Sequence, residues 1–265
     1  MNLPSHAQLC SSFTWVNNDP SESLGFLLAD AGYDVWLSNN RGNVYSTPRI
    51  TGDAFWDFTY DEMGGGLAQS MAQTAAAPAF PQPQSPALSP SAYDLPAAIN
   101  FVLHTTGFSQ LSYVGHSQGT TQAFAGFSED LALQSKVNFF GGLAPVAYED
   151  HETSLLLRVL SDLDAQIALE VLGIRDFLPD GSILQDLAPT VCEALPWACD
   201  DVLFLIMGAS KNLNNTRLPV YLSEFPAGTS TRNMIHWIQG VKTNAFQKYD
   251  YGCNLLACPN RKHYG

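Results

Sequence analysis

The chain has 265 residues, 46% of them hydrophobic, and sets 12 Lys and Arg against 25 Asp and Glu for a formal charge of −13. That length and apolar content suit one globular α/β domain with room for an inserted subdomain, and they exclude a disordered chain. The acidic balance excludes nucleic acid as a partner and electrostatic docking on anionic membranes, both of which need a basic face.

No run is long and apolar enough to span a bilayer, and Met1–His6 lacks the basic and apolar regions of a signal peptide. Leu24 to Asp30 has helical spacing of apolar residues and is stopped by Gly32. Tyr33-Asp34-Val35-Trp36-Leu37 then reads as a strand, and Asn39 to Asn43 as a polar turn. An aromatic and acidic block, Phe55 to Met63, follows. Between Glu62 and Asp94 no charged residue occurs, and Ala, Pro, Gln, Ser and Gly dominate. The spacing and composition predict a disordered low-complexity insertion over 64–91.

Structure is expected to resume at Asp94-Leu95-Pro96, with Asp94 as cap, Pro96 in the first helical turn and Gly107 ending the helix. Leu111 to Val114 reads as a buried strand, Thr120 to Phe127 as the opening of a helix, and Val137 to Ala144 as another buried strand. This alternation is that of a parallel sheet flanked by helices, so the fold class is α/β, with residues 1–148 as core. From 149 to 245 apolar helical stretches such as Ser154 to Leu163 and Ala165 to Leu172 predict a helical cap, and 246–265 a return toward the core. Leu155, Leu156, Leu157 and Val159 serve equally as an acyl pocket or as the packing of that cap.

Of five cysteines, Cys192/Cys199 and Cys253/Cys258 are close enough for local disulfides, which leaves Cys10 unpaired. Zinc is the competing use, but neither pair is C-x-x-C and no histidine lies at ligand spacing, so no metal and no cofactor are expected. Asn214-Asn215-Thr216 is a glycosylation sequon.

The chemistry concentrates at Gly115-His116-Ser117-Gln118-Gly119. A serine hydroxyl is a weak nucleophile unless the backbone presents it on a sharp turn, and a G-x-S-x-G between strand and helix does that. The flanking glycines remove the Cβ atoms that such a turn would crowd. The bland alternative is a glycine-flanked turn with a solvated serine.

Several further blocks accompany the pentapeptide in order: Leu27 to Leu37 with Asn40-Arg41-Gly42-Asn43, Phe55-Trp56-Asp57-Phe58 with Asp61-Glu62-Met63, Tyr93-Asp94-Leu95-Pro96-Ala97, and Pro226 to Ser230 running into Asn233-Met234-Ile235-His236-Trp237. With them the chain resembles the acid lipase family of α/β-hydrolases. The resemblance implies an incomplete α/β-hydrolase sheet with a helical cap, and hydrolysis of triacylglycerols or sterol esters through an acyl-enzyme. It implies Ser117 as nucleophile, the backbone N–H of Gln118 as one oxyanion donor and that of Gln8 as the second, although Ala7 stands where the family has glycine. The family keeps its acid and histidine after the nucleophile on later strands, and His263-Tyr264-Gly265 resembles a segment upstream of those strands. The triad Asp and His are therefore expected beyond the residues given, with Asp250 and His263 as weak in-chain substitutes. His116, His236, His104 and His151 are expected to play no base role, His236 being packed or hydrogen-bonded in the cap. The expected partner is a neutral lipid ester or lipid interface, and the resemblance suggests a secreted or lysosomal setting. The competing readings are a non-catalytic relative that binds lipid or a partner, and another elbow chemistry such as a thioesterase.

Overall fold

The structure, a computed structural model, describes residues 2–5, 9–46, 52–65, 94–149, 151, 154–162, 172–178, 208, 210–253 and 257–264. The expected insertion over 64–91 falls almost wholly outside these residues, as do Gln8, Cys192 and Cys199.

Three parallel strands carry the elbow: β1 (Asn2–Ser5), β2 (Leu111–His116) and β3 (Val137–Leu143), in the order β1-β2-β3. Asn2 pairs with Ser112 and Ser5 with Gly115, while Leu111 pairs with Val137 and His116 with Leu143. The sequence reading did not anticipate β1, since Asn and Pro are poor strand formers. Pro4 is tolerated there because β1 lies at the sheet's edge among the described residues.

The helices follow α1 (Leu24–Asp30), α2 (Tyr60–Gly64), α3 (Asp94–Thr106), α4 (Gln118–Glu129) and α5 (Leu131–Gln134). Gly107, at φ +74°, ends α3 where the sequence places the stop. Leu95, Ile99 and Val102 of α3 pack with Leu111, Tyr113, Ala123, Phe127 and Leu133 into one buried cluster under the sheet. Arg41 fixes the start of α3: its backbone N–H and its Nε donate to the two carboxylate oxygens of Asp94, at 3.0 and 2.8 Å. The Asn-Arg-Gly turn and the Asp-Leu-Pro helix start, 53 residues apart in sequence, are thus one joint.

Two expectations fail. Tyr33 to Leu37 holds only an isolated bridge at Val35, with Tyr33 and Leu37 exposed, because no ladder runs beside it among the described residues. β3 is not buried: Phe139 is 60% and Leu143 43% exposed, since β3 has a described strand on one side only.

Beyond residue 149 come α6 (Leu155–Asp162), the two-residue strands β4 (Asp176–Phe177) and β5 (Thr229–Ser230), α7 (Leu218–Ser223), α8 (Thr231–Thr243) and α9 (Pro259–Tyr264). β4 and β5 pair antiparallel in a stretch that lacks strand signals. Leu157 of α6, Leu218 and Leu222 of α7, and Met234 and Trp237 of α8 share a buried cluster with Leu9, Cys10 and Tyr60. Leu155 and Val159 face outward, so this leucine-rich stretch divides between packing and surface. Cys253 and Cys258 are joined by a disulfide, and Cys10 is free and buried.

Candidate active site

Ser117 occupies a backbone position that an L residue resists, φ +52° and ψ −117°, between the last residue of β2 and the first of α4. Its N–H donates to the carbonyl of Leu143 at 3.0 Å, which ties the bend to the end of β3. Its carbonyl accepts from the Thr120 N–H at 2.8 Å and from Thr120 Oγ1 at 2.6 Å. Gly115 is required for steric reasons, because a Cβ there would fall 2.7 Å from the carbonyl carbon and oxygen of Gly119. The Ser117 residue is half-buried.

A hydrogen-bonded brace supports the bend from below. Tyr113 Oη donates to the Gly119 carbonyl at 2.7 Å, Gln122 Nε2 donates to Tyr113 Oη at 3.2 Å, and Asn40 Nδ2 donates to Gln122 Oε1 at 2.9 Å. Thr120 Oγ1 accepts from the Val146 N–H, and Thr121 Oγ1 donates to the Val146 carbonyl, so the chain leaving β3 is pinned to α4.

Gln118 begins α4, where backbone N–H groups lack intrahelical partners and point at whatever occupies the helix start. Its buried side chain holds the opposite direction: Oε1 accepts from Asn233 Nδ2 at 2.8 Å and Trp237 Nε1 at 3.0 Å, and Nε2 contacts Met63 Sδ at 3.3 Å. The Asn-Met-Ile-His-Trp block therefore reaches the elbow through Gln118. The sequence alone does not show this role. Their spacing, Asn233 and Trp237 one helical turn apart on α8, is the signal that could have revealed a shared face.

Beside the elbow lies a cavity of about 320 Å³, lined among others by Phe13, His116, Leu213, Tyr221 and Phe225. Its size falls at the lower end of ordinary ligand pockets, roughly 300–1,000 Å³. The His116 ring stands edge-on to Trp15, centroids 6.3 Å apart, and its Nδ1 is buried without a hydrogen-bond partner. Burial lowers its pKa, so the imidazole is held neutral. Cys10 also lines the cavity, but burial pushes its thiol up to about 12, which keeps it an unreactive packing group.

The remaining site candidates lie as follows. Asp250 Oδ1 accepts from the Gly252 N–H at 2.7 Å and Asn260 Nδ2 at 2.6 Å, a turn-stabilising role. The His263 ring stacks on Tyr251 at 3.8 Å between centroids, 5° from parallel. Neither residue makes a hydrogen bond or ring contact with Ser117, so the structure does not bring the two in-chain substitutes to the serine. His236 is fully buried, stacks on Tyr60 at 3.7 Å, and its Nε2 lies 2.9 Å from the Gln247 carbonyl. His104 sits in the last turn of α3. Asn214 caps a short 3-10 turn, its Oδ1 accepting from the N–H and hydroxyl of Thr216. Among the described residues no group of three or more His, Cys, Asp or Glu could hold a metal, and no helix is long and apolar enough to cross a membrane.

Residues 14–161 match the family described as alpha/beta hydrolase fold. Over 266 residues the chain is 41% identical to gastric triacylglycerol lipase of Homo sapiens, covering 98% of this chain and 59% of that relative. It is 40% identical to lysosomal acid lipase/cholesteryl ester hydrolase of Macaca fascicularis, with the same coverages. Lipase lipl-1 of Caenorhabditis elegans is 41% identical over 272 residues. The chain thus spans about three fifths of the length of these curated relatives.

Proposed function

This chain belongs to the α/β-hydrolase fold family and stands among its acid lipases, and we propose that it carries the nucleophile of a serine ester hydrolase for neutral lipid esters. The observation that carries this reading is the backbone of Ser117 at φ +52°, ψ −117°, held there by Gly115 and by the carbonyl of Leu143. Strain of this kind is maintained only where the surroundings enforce it, and it is the backbone by which a nucleophile elbow presents its serine hydroxyl.

In the proposed reaction Ser117 Oγ attacks the ester carbonyl of a triacylglycerol or sterol ester. The proton of Oγ passes to a base, the alcohol leaves, and water then releases the fatty acid from the acyl-enzyme. The N–H of Gln118 and, by family position, that of Gln8 stabilise the oxyanion. The cavity flanked by Phe13, Leu213, Tyr221 and Phe225 would receive apolar parts of the substrate. A neutral His116 there avoids placing a buried charge beside an ester. The disulfide between Cys253 and Cys258 supports an oxidising, secreted or lysosomal setting.

Among the described residues no histidine or carboxylate hydrogen-bonds to Ser117. A serine without a base keeps its proton at neutral pH, so turnover requires a proton acceptor outside these described contacts of Ser117. The same observation favours the second reading, a non-catalytic relative that binds lipid or a partner.

The test joins residues 1–265 to the part of the Homo sapiens gastric lipase outside the matched region and assays a short-chain triacylglycerol. Hydrolysis that disappears in Ser117→Ala is expected. A folded fusion with no Ser117-dependent hydrolysis rejects the catalytic reading. Strong phosphonate labelling of the unfused chain that is lost in both Ser117→Ala and His263→Ala would instead make His263 the base.

A further inference from the structure

A second cavity, of about 570 Å³, lies elsewhere and shares no lining residue with the one beside the elbow. It sits where α8 begins, against the 3-10 turn Asp53–Trp56 and the segment 249–252. Three features of its wall belong together.

The first is charge. The whole chain has only 12 Lys and Arg, yet Arg175, Arg232 and Lys242 all line this one cavity. They face two carboxylates, Asp57 and Asp250. Both guanidinium groups converge on a single oxygen, Asp57 Oδ1, with Arg232 Nη2 at 3.0 Å and Arg175 Nη1 at 3.2 Å. Asp250 is engaged by neutral donors, the Gly252 N–H and the Asn260 amide. In a strongly acidic chain, this gathering of cationic side chains on one wall suits an anionic head.

The second is an orphaned donor. Thr231 is 4% exposed and lines the cavity, and its Oγ1 is buried with no hydrogen-bond partner. A buried hydroxyl without a partner is costly to the fold, and a ligand oxygen that reached it would relieve that cost. Thr231 and Arg232 also open α8, a 13-residue helix whose positive end faces the same space.

The third is an apolar flank. Trp56, Ile174, Ile235 and Tyr251 line the same cavity, and Tyr251 is kept flat between the Arg232 guanidinium, 5.7 Å from its centroid, and the His263 ring. Cationic and hydroxyl donors on one part of the wall and aromatic and aliphatic surface on the rest match an amphiphile with an anionic head.

We propose that this cavity binds a long-chain carboxylate, its head held by Arg232 and Thr231 Oγ1 and its tail laid against Trp56, Ile174 and Ile235. The site rests on the cavity's own residues and does not depend on Ser117. If the hydrolase reading holds, its ligand class is that of the released acid, so the site would retain product away from the elbow.

The experiment titrates dodecanoate, below its micellar concentration, into the 265-residue chain and follows Trp56 fluorescence and heat. Saturable binding is expected, with dodecan-1-ol and inorganic phosphate each binding at least ten-fold more weakly. Arg232→Gln is expected to weaken dodecanoate ten-fold or more. Because Arg232 also braces Asp57, Thr231→Val supplies a second reading: it removes only the hydroxyl and is expected to weaken binding several-fold while far-UV circular dichroism stays unchanged. Equal binding of dodecan-1-ol, equal binding of phosphate, or undiminished affinity in a folded Thr231→Val overturns the proposal. Ser117→Ala should bind dodecanoate as the parent does, which separates failure here from failure of the hydrolase reading.

Discussion

Ser117 holds a left-handed backbone that costs about 1–3 kcal/mol, and the residues around it show how that cost is met. Gly115 gives up its side chain so that the carbonyl of Gly119 can pass within 2.7 Å of where a Cβ would stand. Gly115→Ala is therefore expected to destabilise the fold by about 1–3 kcal/mol, the usual cost of forcing extra volume into packed backbone, read as a lower urea midpoint. Ser117 itself should respond in the opposite sense. Glycine adopts φ +52° without strain, so Ser117→Gly is expected to raise the thermal midpoint while removing every Ser117-dependent reaction. Ser117→Ala, which keeps the Cβ, removes the reaction without that gain. A Ser117→Gly protein no more stable than Ser117→Ala would show that the bend is relaxed and the elbow reading mistaken.

At the scale of elements, α4 is coupled to α8 by one side chain. Gln118 Oε1 takes both Asn233 Nδ2 and Trp237 Nε1, and all three residues are buried. Gln118→Ala leaves the indole N–H without its acceptor, and Asn233 Nδ2 keeps Thr229 Oγ1 at 3.1 Å as its acceptor. About 1–3 kcal/mol of stability should be lost, with Gln118→Glu retaining part of it because the acceptor oxygens remain; chemical denaturation of the two variants checks this. Such long-range pairs were not legible in the sequence, where 115 residues separate Gln118 from Asn233. Local signals were legible: Asp94 and Gly107 bound α3, and the glycines of the pentapeptide mark the turn between β2 and α4. Thr59-Tyr60-Asp61-Glu62 was a readable capping box that the aromatic character of its surroundings obscured, and it does start α2, with the Thr59 N–H donating to Glu62 Oε2 at 2.7 Å. What failed was burial and pairing: β1 forms despite Pro4, Tyr33 to Leu37 forms no ladder, and Phe139 of β3 is open. Those outcomes depend on which strand lies alongside, and the local pattern of one strand does not contain that information.

For the molecule as a whole, two buried groups that meet around Tyr60, Asp61 and His236, give stability opposite dependences on pH. Burial raises the Asp61 carboxyl to about 7, although the Tyr249 N–H at 2.9 Å favours its charged form, and burial also raises Glu62 beside it. In the fold Asp61 keeps its proton where the unfolded chain would have lost it. Its contribution is fully present below about 3.8 and is lost as pH rises toward 7. Burial lowers His236 to about 3, so the folded imidazole stays neutral where the unfolded one takes a proton. Its contribution is present above about 6.5 and is lost as pH falls toward 3. Between pH 4 and 6.5 the slopes oppose, and the intact chain should show little net change in unfolding free energy across that window. Asp61→Asn removes one slope and keeps an amide oxygen for the Tyr249 N–H, so its stability should climb more steeply from pH 4 to 6.5 than that of the intact chain. Urea midpoints at pH 4, 5, 6 and 7 measure both proteins, and a parallel pair of curves would refute the assignment of the acid-side stability to Asp61. A fold balanced in this way keeps its elbow assembled at mildly acidic pH, where a protein with buried histidine alone would lose stability.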